Sequence, residues 1–432
     1  MKKDQSTRVP GDSRGFKRID LAYVELASSE VARDINRDII LELIRTKQPI
    51  ARADLSRWSG LQPSTVSNIA EQLLEEGWIE EGAEVRRPRG RPATMLSLNG
   101  NLAILGVDIR PSKAILAVVD LNGRFLSRES TPLASNPERG VATIVGSLKA
   151  LRERHADKLF QGIGISLPGR VDPVTQRLIL APNLKWSDYD IKAAIEKEIP
   201  LQVEMDNAAN ACLLSELWFG TMDGIRNAVL VTISEGVGSA ILANGQLVIG
   251  KAGLAGEFGH VPIDPAGPQC GCGRRGCWEM YASSRAALRF YEELKPKTPV
   301  TNIQDLLNMA EDGDEKALQA LTKQATYLGQ GLRLITSVLA PELILLSGDL
   351  TSSWPRFAPA VERELKEQML AGTPPRVMVT TDAELARLRG AAALVLQRHS
   401  GYHRSTHTAS NGKTIRKRKD RQIAGRPSKA TV

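Results

Sequence analysis

The feature that most restricts this chain is a short cluster punctuated by glycine. His260, Cys270, Cys272 and Cys277 follow the pattern H-x9-C-x-C-x4-C, with Gly271, Gly273 and Gly276 between and beside the thiols. Three thiolates and one imidazole make a closed tetrahedral set. That suits a structural Zn²⁺ rather than a catalytic ion, which keeps one position open. The glycines let the backbone wrap tightly round an ion. The competing reading is a group of unrelated reduced thiols. Cys212, the remaining cysteine, lies in an apolar helical stretch and reads as a core residue. Such clustering favours metal over disulfides, and a reducing cytoplasm fits it best.

A second constraint lies near the N-terminus. Ile35, Ile39, Leu43 and Ile44 are read as one face of a helix. A short helix over Ala53–Trp58 follows, broken by Ser59-Gly60. Next comes Pro63, suited to a first helical position because its missing N–H would be unpaired there. Val66, Ile69, Ala70, Leu73 and Leu74 then recur at three- and four-residue spacing, and Gly77 ends that helix. This is helix–turn–helix spacing, with the second helix carrying the reading residues. Ser64, Thr65, Ser67 and Asn68 fall on its polar side near the N-terminus, short side chains fit for base edges or phosphates. Arg86-Arg87-Pro88-Arg89-Gly90-Arg91-Pro92 stands before the strand Thr94–Leu98, where a winged helix puts its wing. Arg87, Arg89 and Arg91 there suit a narrow, strongly negative minor groove. An ordinary helical hairpin and a solvated charge run are the alternatives.

The chain has 432 residues, enough for two or three domains. Its hydrophobic content is 42% with only 4% aromatic, so the core must be aliphatic. The formal net charge is +8, and residues 401–432 hold nine Lys or Arg against the single acid Asp420, which equals the whole excess. A basic tail on a neutral body suggests a polyanionic partner; a solvated, disordered end is the bland alternative. We find no secretory apolar region and no run of membrane-spanning length. Residues 1–30 read as a flexible arm, 31–98 as the DNA-reading block, 99–206 as a first α/β lobe completed by a helix near 385–400, 207–384 as a second lobe with the metal cluster, and 401–432 as a disordered tail. Asn122-Gly123 and Asn244-Gly245 mark hairpin turns at the start of each lobe. Two lobes built this way imply an α/β protein with a cleft between halves.

The segment Gly253-Leu254-Ala255-Gly256-Glu257-Phe258-Gly259-His260, the cysteine cluster and Trp278-Glu279-Met280-Tyr281-Ala282-Ser283 together resemble the ROK family signature. The resemblance extends over roughly residues 31–400, through Ser166-Leu167-Pro168-Gly169-Arg170-Val171-Asp172 and Ala181-Pro182-Asn183-Leu184. It implies a two-lobed actin-like, hexokinase-like (ribonuclease H-like) fold with sugar in the cleft. Family repressors carry an N-terminal winged helix and family kinases lack it. The implied sugar contacts are Asn183, Asn207, Glu257, His260 and Glu279, with His260 giving one ring nitrogen to zinc and the other to the sugar.

The chain also departs from the kinase pattern. Matching Asp206-Asn207-Ala208-Ala209-Asn210 to the family's Glu-Asn-Asp-Ala-Asn puts Ala208 where kinases hold the general base. A register shifted by two would give that role to Asp206, at the cost of the matches at Asn210 and Glu216. The first phosphate loop reads Asp108-Ile109-Arg110-Pro111-Ser112, with a side chain at Arg110 and no N–H at Pro111. The second, Ser234 to Ser239, introduces Glu235, and Ser347-Gly348-Asp349 replaces a Gly-Gly pair. The expectation is a sugar-responsive, DNA-binding regulator, a repressor rather than an enzyme. Its expected partners are double-stranded operator DNA and a sugar or sugar phosphate, in a homodimer or larger homo-oligomer away from membranes. A sugar kinase with an appended DNA-binding module is the alternative, and a nucleoid-type protein with affinity for A·T-rich DNA is a third reading that leaves the zinc and sugar constellation without purpose.

Overall fold

The structure is a computed structural model that describes residues 29–85, 92–220, 222, 224–367, 373–380 and 382–399. Most of the N-terminal arm, the loop holding Arg87, Arg89 and Arg91, and the basic tail lie outside the described residues.

The N-terminal block runs α1 (Ser29–Lys47), β1 (Ile50–Ala51), α2 (Arg52–Ser59), α3 (Pro63–Glu75), β2 (Ile79–Val85) and β3 (Ala93–Leu98), with sheet order β1-β3-β2. That is the element order of a winged helix–turn–helix. Gly60 ends α2 in the left-handed region (φ 72) and donates to the Ser56 carbonyl, and Pro63 opens α3. Val66, Ile69, Ala70 and Leu73 of α3 are buried against Leu55, Trp78 and Leu96. The face of α1 differs from the expected one. Ile40 and Ile44 are fully buried and Leu43 half-buried, while Ile35 and Ile39 are 36% and 39% exposed. The apolar run Ile39-Ile40-Leu41 offers two possible stripes, and the position of α3 and the sheet selects the one through Ile40.

The first lobe contains β4 (Leu102–Ile109), β5 (Lys113–Asp120), β6 (Phe125–Pro132), α4 (Pro137–Arg154), β7 (Leu159–Leu167), β8 (Arg170–Val171), β9 (Leu178–Ala181), β10 (Trp186–Tyr189), α5 (Ile191–Glu198) and β11 (Val203–Asn207). Its five-stranded sheet has order β11-β7-β4-β5-β6, parallel on the β11-β7-β4 side and antiparallel beyond. β4 is buried along its whole length, as a central strand covered on both faces must be. Then α6 (Ala208–Phe219) leads into the second lobe: β12 (Ala228–Ile233), β13 (Val237–Ala243), β14 (Gln246–Leu247), α7 (Glu279–Ala282), α8 (Ser284–Glu293), α9 (Ile303–Glu311), α10 (Glu315–Leu339), β15 (Leu343–Gly348), α11 (Trp354–Lys366) and β16 (Arg376–Val379). Its sheet has order β14-β13-β12-β15-β16. The turns at Asn122-Gly123 and Asn244-Gly245 join antiparallel strands as expected.

The last helix, α12 (Ala383–His399), returns to the first lobe and lies on β7, β4 and α6. Two glycines make this approach possible. A Cβ on Gly164 would overlap the Ala391 carbonyl, and one on Gly390 would overlap the Ala211 carbonyl. The apolar core of the winged helix runs on into the first lobe. Ile44, Leu73 and Leu96 belong to the same buried cluster as Ile104 and Val119 of the first sheet, Leu121 just beyond β5, and Leu388, Ala392 and Leu396 of α12.

Candidate functional site

The candidate metal cluster forms beyond β14. A short 3-10 turn, Glu257–His260, presents His260, and a tight loop presents the three thiols before α7. Bridges between Pro262 and Cys277 and between Gln269 and Arg275 fold the loop on itself. Gly276 takes φ 65, and a Cβ there would collide with the Asp264 carbonyl. The four ligand atoms all lie within 4.8 Å of one another. His260 Nδ1 is 3.6 Å from Cys270 Sγ, and Cys272 Sγ is 3.6 Å from Cys277 Sγ. Tetrahedral Zn²⁺, with bonds of about 2.3 Å to sulfur and about 2.0–2.1 Å to nitrogen, holds its ligand atoms roughly 3.5–3.8 Å apart. The donor set therefore fits the ion. Burial pushes the Cys270 and Cys277 thiols up, so a cation is what would keep them as thiolates. Cys212 is fully buried, 0% exposed, as a core residue.

Three of the five implied sugar residues meet here. His260 Nε2, the nitrogen turned away from the thiols, is 3.7 Å from Glu257 Oε2. Glu279, almost buried, has Oε1 at 2.9 Å from Cys270 Sγ and 3.7 Å from His260 Nδ1, while a Cβ on Gly236 would lie 2.8 Å from Oε2. Glu279 thus stands between the metal cluster and the second phosphate-type loop. Asn183 is exposed on a 3-10 turn, Pro182–Leu184, that follows β9. Asn207 ends β11 and caps α6, its side-chain oxygen accepting from the Asn210 N–H.

The row across the first sheet explains the neighbouring chemistry. Asp108, Ser166 and Asp206 are in register on β4, β7 and β11, at the ends of three parallel strands. This is where ligands bind in open α/β sheets. Asp206 accepts from the Asn207 N–H at 2.7 Å and from the Asn210 amide at 3.0 and 3.1 Å, and burial raises its pKa to about 6. Ala208 follows as the first residue of α6, 8% exposed. Asp108 is fully buried and pairs at 2.7 Å with Arg110 Nε. The sequence offered Arg110 as an obstacle in the loop; that it neutralises Asp108 emerges only from the folded geometry. In the second lobe, Ser234 closes a tight turn to the Gly236 carbonyl and accepts from Arg387 at 3.1 Å. Asp349 accepts from the Ser284 hydroxyl at 2.6 Å, tying that loop to the start of α8.

On the recognition-type helix α3, Ser64 and Asn68 are exposed and Thr65 and Ser67 half-exposed, opposite the buried Val66-Ile69-Ala70 face. α1 braces this helix. Arg33 donates to Gln72 at 2.8 Å and Arg37 pairs with Glu76. At its other end α1 meets α6. Arg45 donates to the Trp218 carbonyl and its guanidinium lies 5.8 Å from the centre of the Trp218 ring. Gln48, just after α1, donates to Asn122 at 2.7 Å and accepts from the Leu98 N–H at 2.8 Å. A cavity of about 170 Å³ lined by Leu41, Trp78, Leu98, Leu121, Trp218 and Leu396 lies along this joint. No helix among the described residues is long and apolar enough to cross a membrane.

Comparison with known proteins accords with this geometry. The xylose repressor of Bacillus subtilis is 31% identical over 350 residues, covering 80% of this chain and 90% of the repressor. A solved ROK family transcriptional regulator, described as a homolog of the E. coli MLC protein, superposes with a TM-score of 0.75 at 26% identity, covering 88% of this chain and all of that one. A ROK family glucokinase from Streptomyces griseus, solved with glucose and AMPPNP, superposes with a TM-score of 0.63 at 28% identity, covering 68% of this chain and 99% of the kinase. The ROK family pattern itself matches residues 104–398, from the first strand of the first lobe to the end of the helix that closes it. The chain belongs to the ROK family.

Proposed function

We propose that this chain is a sugar-responsive DNA-binding transcriptional regulator, a repressor whose kinase-like domain holds a sugar without phosphorylating it. The observation that carries this reading is the continuity between two halves. α6 is capped by Asn207, beside the cleft, and its last turn holds Trp218, whose carbonyl accepts from Arg45 of the DNA-block helix α1. α1 in turn holds α3 through Arg33 and Arg37. A helix is stiff along its axis, so a shift at the sugar end is passed to the DNA end rather than absorbed. Two copies gripping half-sites about 34–36 Å apart lose simultaneous engagement on a small rotation.

In this reading Ser64, Thr65, Ser67 and Asn68 contact bases or phosphates, and Arg87, Arg89 and Arg91 enter the adjacent minor groove. Asn183, Asn207, Glu257, His260 and Glu279 hold the sugar. Zn²⁺ on His260, Cys270, Cys272 and Cys277 fixes the loop that presents them. The domain division is 31–98 for DNA, 99–206 with 385–400 for the first lobe and 207–384 for the second. The repressor named among the relatives and the regulator that covers 88% of this chain support the assignment.

A sugar kinase with a DNA-binding module is the second reading, favoured by the glucokinase superposition and by the raised pKa of Asp206, a value suited to a base. Against it stand Ala208, which accepts no proton, and the Arg110–Asp108 pair, which places a guanidinium on the carboxylate of the first phosphate-type loop. The test is operator binding by the full chain with and without sugars, together with a coupled ADP assay. Operator affinity that shifts on adding a sugar, with no ADP formed, is the expected result; turnover of any hexose or pentose overturns it.

A further inference from the structure

Among the described residues, Arg170 is the one basic side chain with a buried nitrogen that has no partner. It opens β8, directly after Gly169, and is in register with Leu180 of β9. β8 touches three segments at once: β9, which runs into the turn bearing Asn183; β11, which ends at Asn207; and the short turn Lys251–Gly253 that precedes Glu257 and His260. The stem of Arg170 lies on that turn, with its Cγ 4.0 Å from where a Cβ on Gly253 would be, and the Val171 carbonyl is 2.9 Å from the same point. β8 therefore adjoins β11, which carries Asn207, and the segments that lead on to Asn183, Glu257 and His260.

Among the described residues its charge has no counterpart. Arg170 is half-buried, its Nε is fully buried without a partner, and among the described residues no carboxylate pairs with it. The acids of the surrounding segments are already engaged. Asp172 accepts from the Val174 and Thr175 N–H groups and the Thr175 hydroxyl. Asp206 is held by Asn207 and Asn210, and Glu257 faces His260. Arg177, on the same hairpin, shows the ordinary arrangement, paired with Asp190 at 2.9 Å. A part-buried guanidinium without an anion is unfavourable, and its planar fork matches a phosphate or carboxylate better than it matches a neutral hydroxyl.

We propose that the effector of this chain is an anionic sugar, bearing a phosphate or a carboxylate, and that Arg170 is the specificity-determining counter-ion. This rests on the sugar-site reading above. Calorimetry on the full chain tests it with neutral glucose, xylose and N-acetylglucosamine beside glucose 6-phosphate, N-acetylglucosamine 6-phosphate and glucuronate. One anionic member should bind at least about tenfold more tightly than its neutral parent, the gap narrowing with salt. Whether a phosphate or the glucuronate carboxylate shows it identifies the anion. Arg170→Gln should abolish the preference and leave neutral-sugar affinity within about twofold, and Arg170→Lys should restore part of it. Neutral sugars that bind as tightly as every anionic one, or an Arg170→Gln loss equal for both kinds, would overturn the proposal and leave the sugar site intact. Binding of neither kind would remove the sugar-site reading, and this inference with it.

Discussion

Replacing Arg45 with alanine separates coupling from binding. Arg45 is remote from the recognition-type face of α3 and from the cleft, and its side chain is 16% exposed. It makes three interactions. The intrahelical pair with Glu42, at 2.6 Å, stays within α1 and is worth about 0.3–0.5 kcal/mol. The bond to the Trp218 carbonyl crosses the joint, and a charged donor there is worth about 1.5–3 kcal/mol. The guanidinium over the Trp218 ring adds about 0.5–1 kcal/mol. Water replaces part of this in the variant, leaving a loss across the joint of roughly 1–2 kcal/mol. Allosteric couplings are typically about 1–3 kcal/mol, so most of the sugar response runs through this contact if α6 is the carrier. Fluorescence anisotropy on labelled operator, with and without saturating sugar, gives the ratio of the two affinities. Arg45→Ala should reduce that ratio by roughly 5–30-fold while sugar binding, read by calorimetry, stays within about twofold. A variant with normal unfolding, normal sugar affinity and an undiminished operator response would refute transmission through α6.

Further outcomes follow from the same geometry. Cys272 is the exposed member of the metal set, so Cys272→Ser opens no core cavity. It should lower bound zinc from about one per chain toward zero by metal analysis and weaken sugar binding at least about tenfold through displaced His260 and Glu279; protein that holds no zinc when purified without chelator removes the site. Ser67→Ala or Asn68→Ala should change which operator bases are preferred, at about 1–3 kcal/mol per lost contact. Arg89→Ala with Arg91→Ala should instead weaken binding broadly and flatten its salt dependence; selection on randomised DNA distinguishes the two, and the reverse pattern disproves the placement. Ala208→Asp alone should yield no ADP in a coupled assay, because Arg110 still occupies Asp108. Asp206 has a folded pKa of about 6 against about 3.9 unfolded, so the neutral carboxyl's contribution is complete below the lower value and lost as pH rises through the upper one. Asp206→Asn should therefore unfold at a higher temperature than the parent at pH 7.5, with the gap closing toward pH 4; a gap independent of pH would show that Asp206 does not titrate there.

Features set by near neighbours were legible in the chain. The ligand spacing of His260, Cys270, Cys272 and Cys277, the break at Gly60 with Pro63 opening the next helix, and the Asn-Gly turns depend on contacts a few residues long. Their residue types state the geometry they need. Ala208, Arg110 and Pro111 were equally readable, because a side chain with no proton acceptor or a missing N–H is a property of one residue. What only the tertiary structure decided involves partners far apart in sequence. Which stripe of α1 is buried depends on where α3 and β3 sit, and Ile40 wins over Ile39 by that packing alone. The need for glycine at 164 and 390 comes from α12 crossing back onto the first lobe, more than two hundred residues after β7 in the case of Gly164. The joint between Arg45 and Trp218 and the lone charge of Arg170 arise because folding brings together groups whose mutual distance no local pattern encodes. Burial then decides which of them find a partner within the chain.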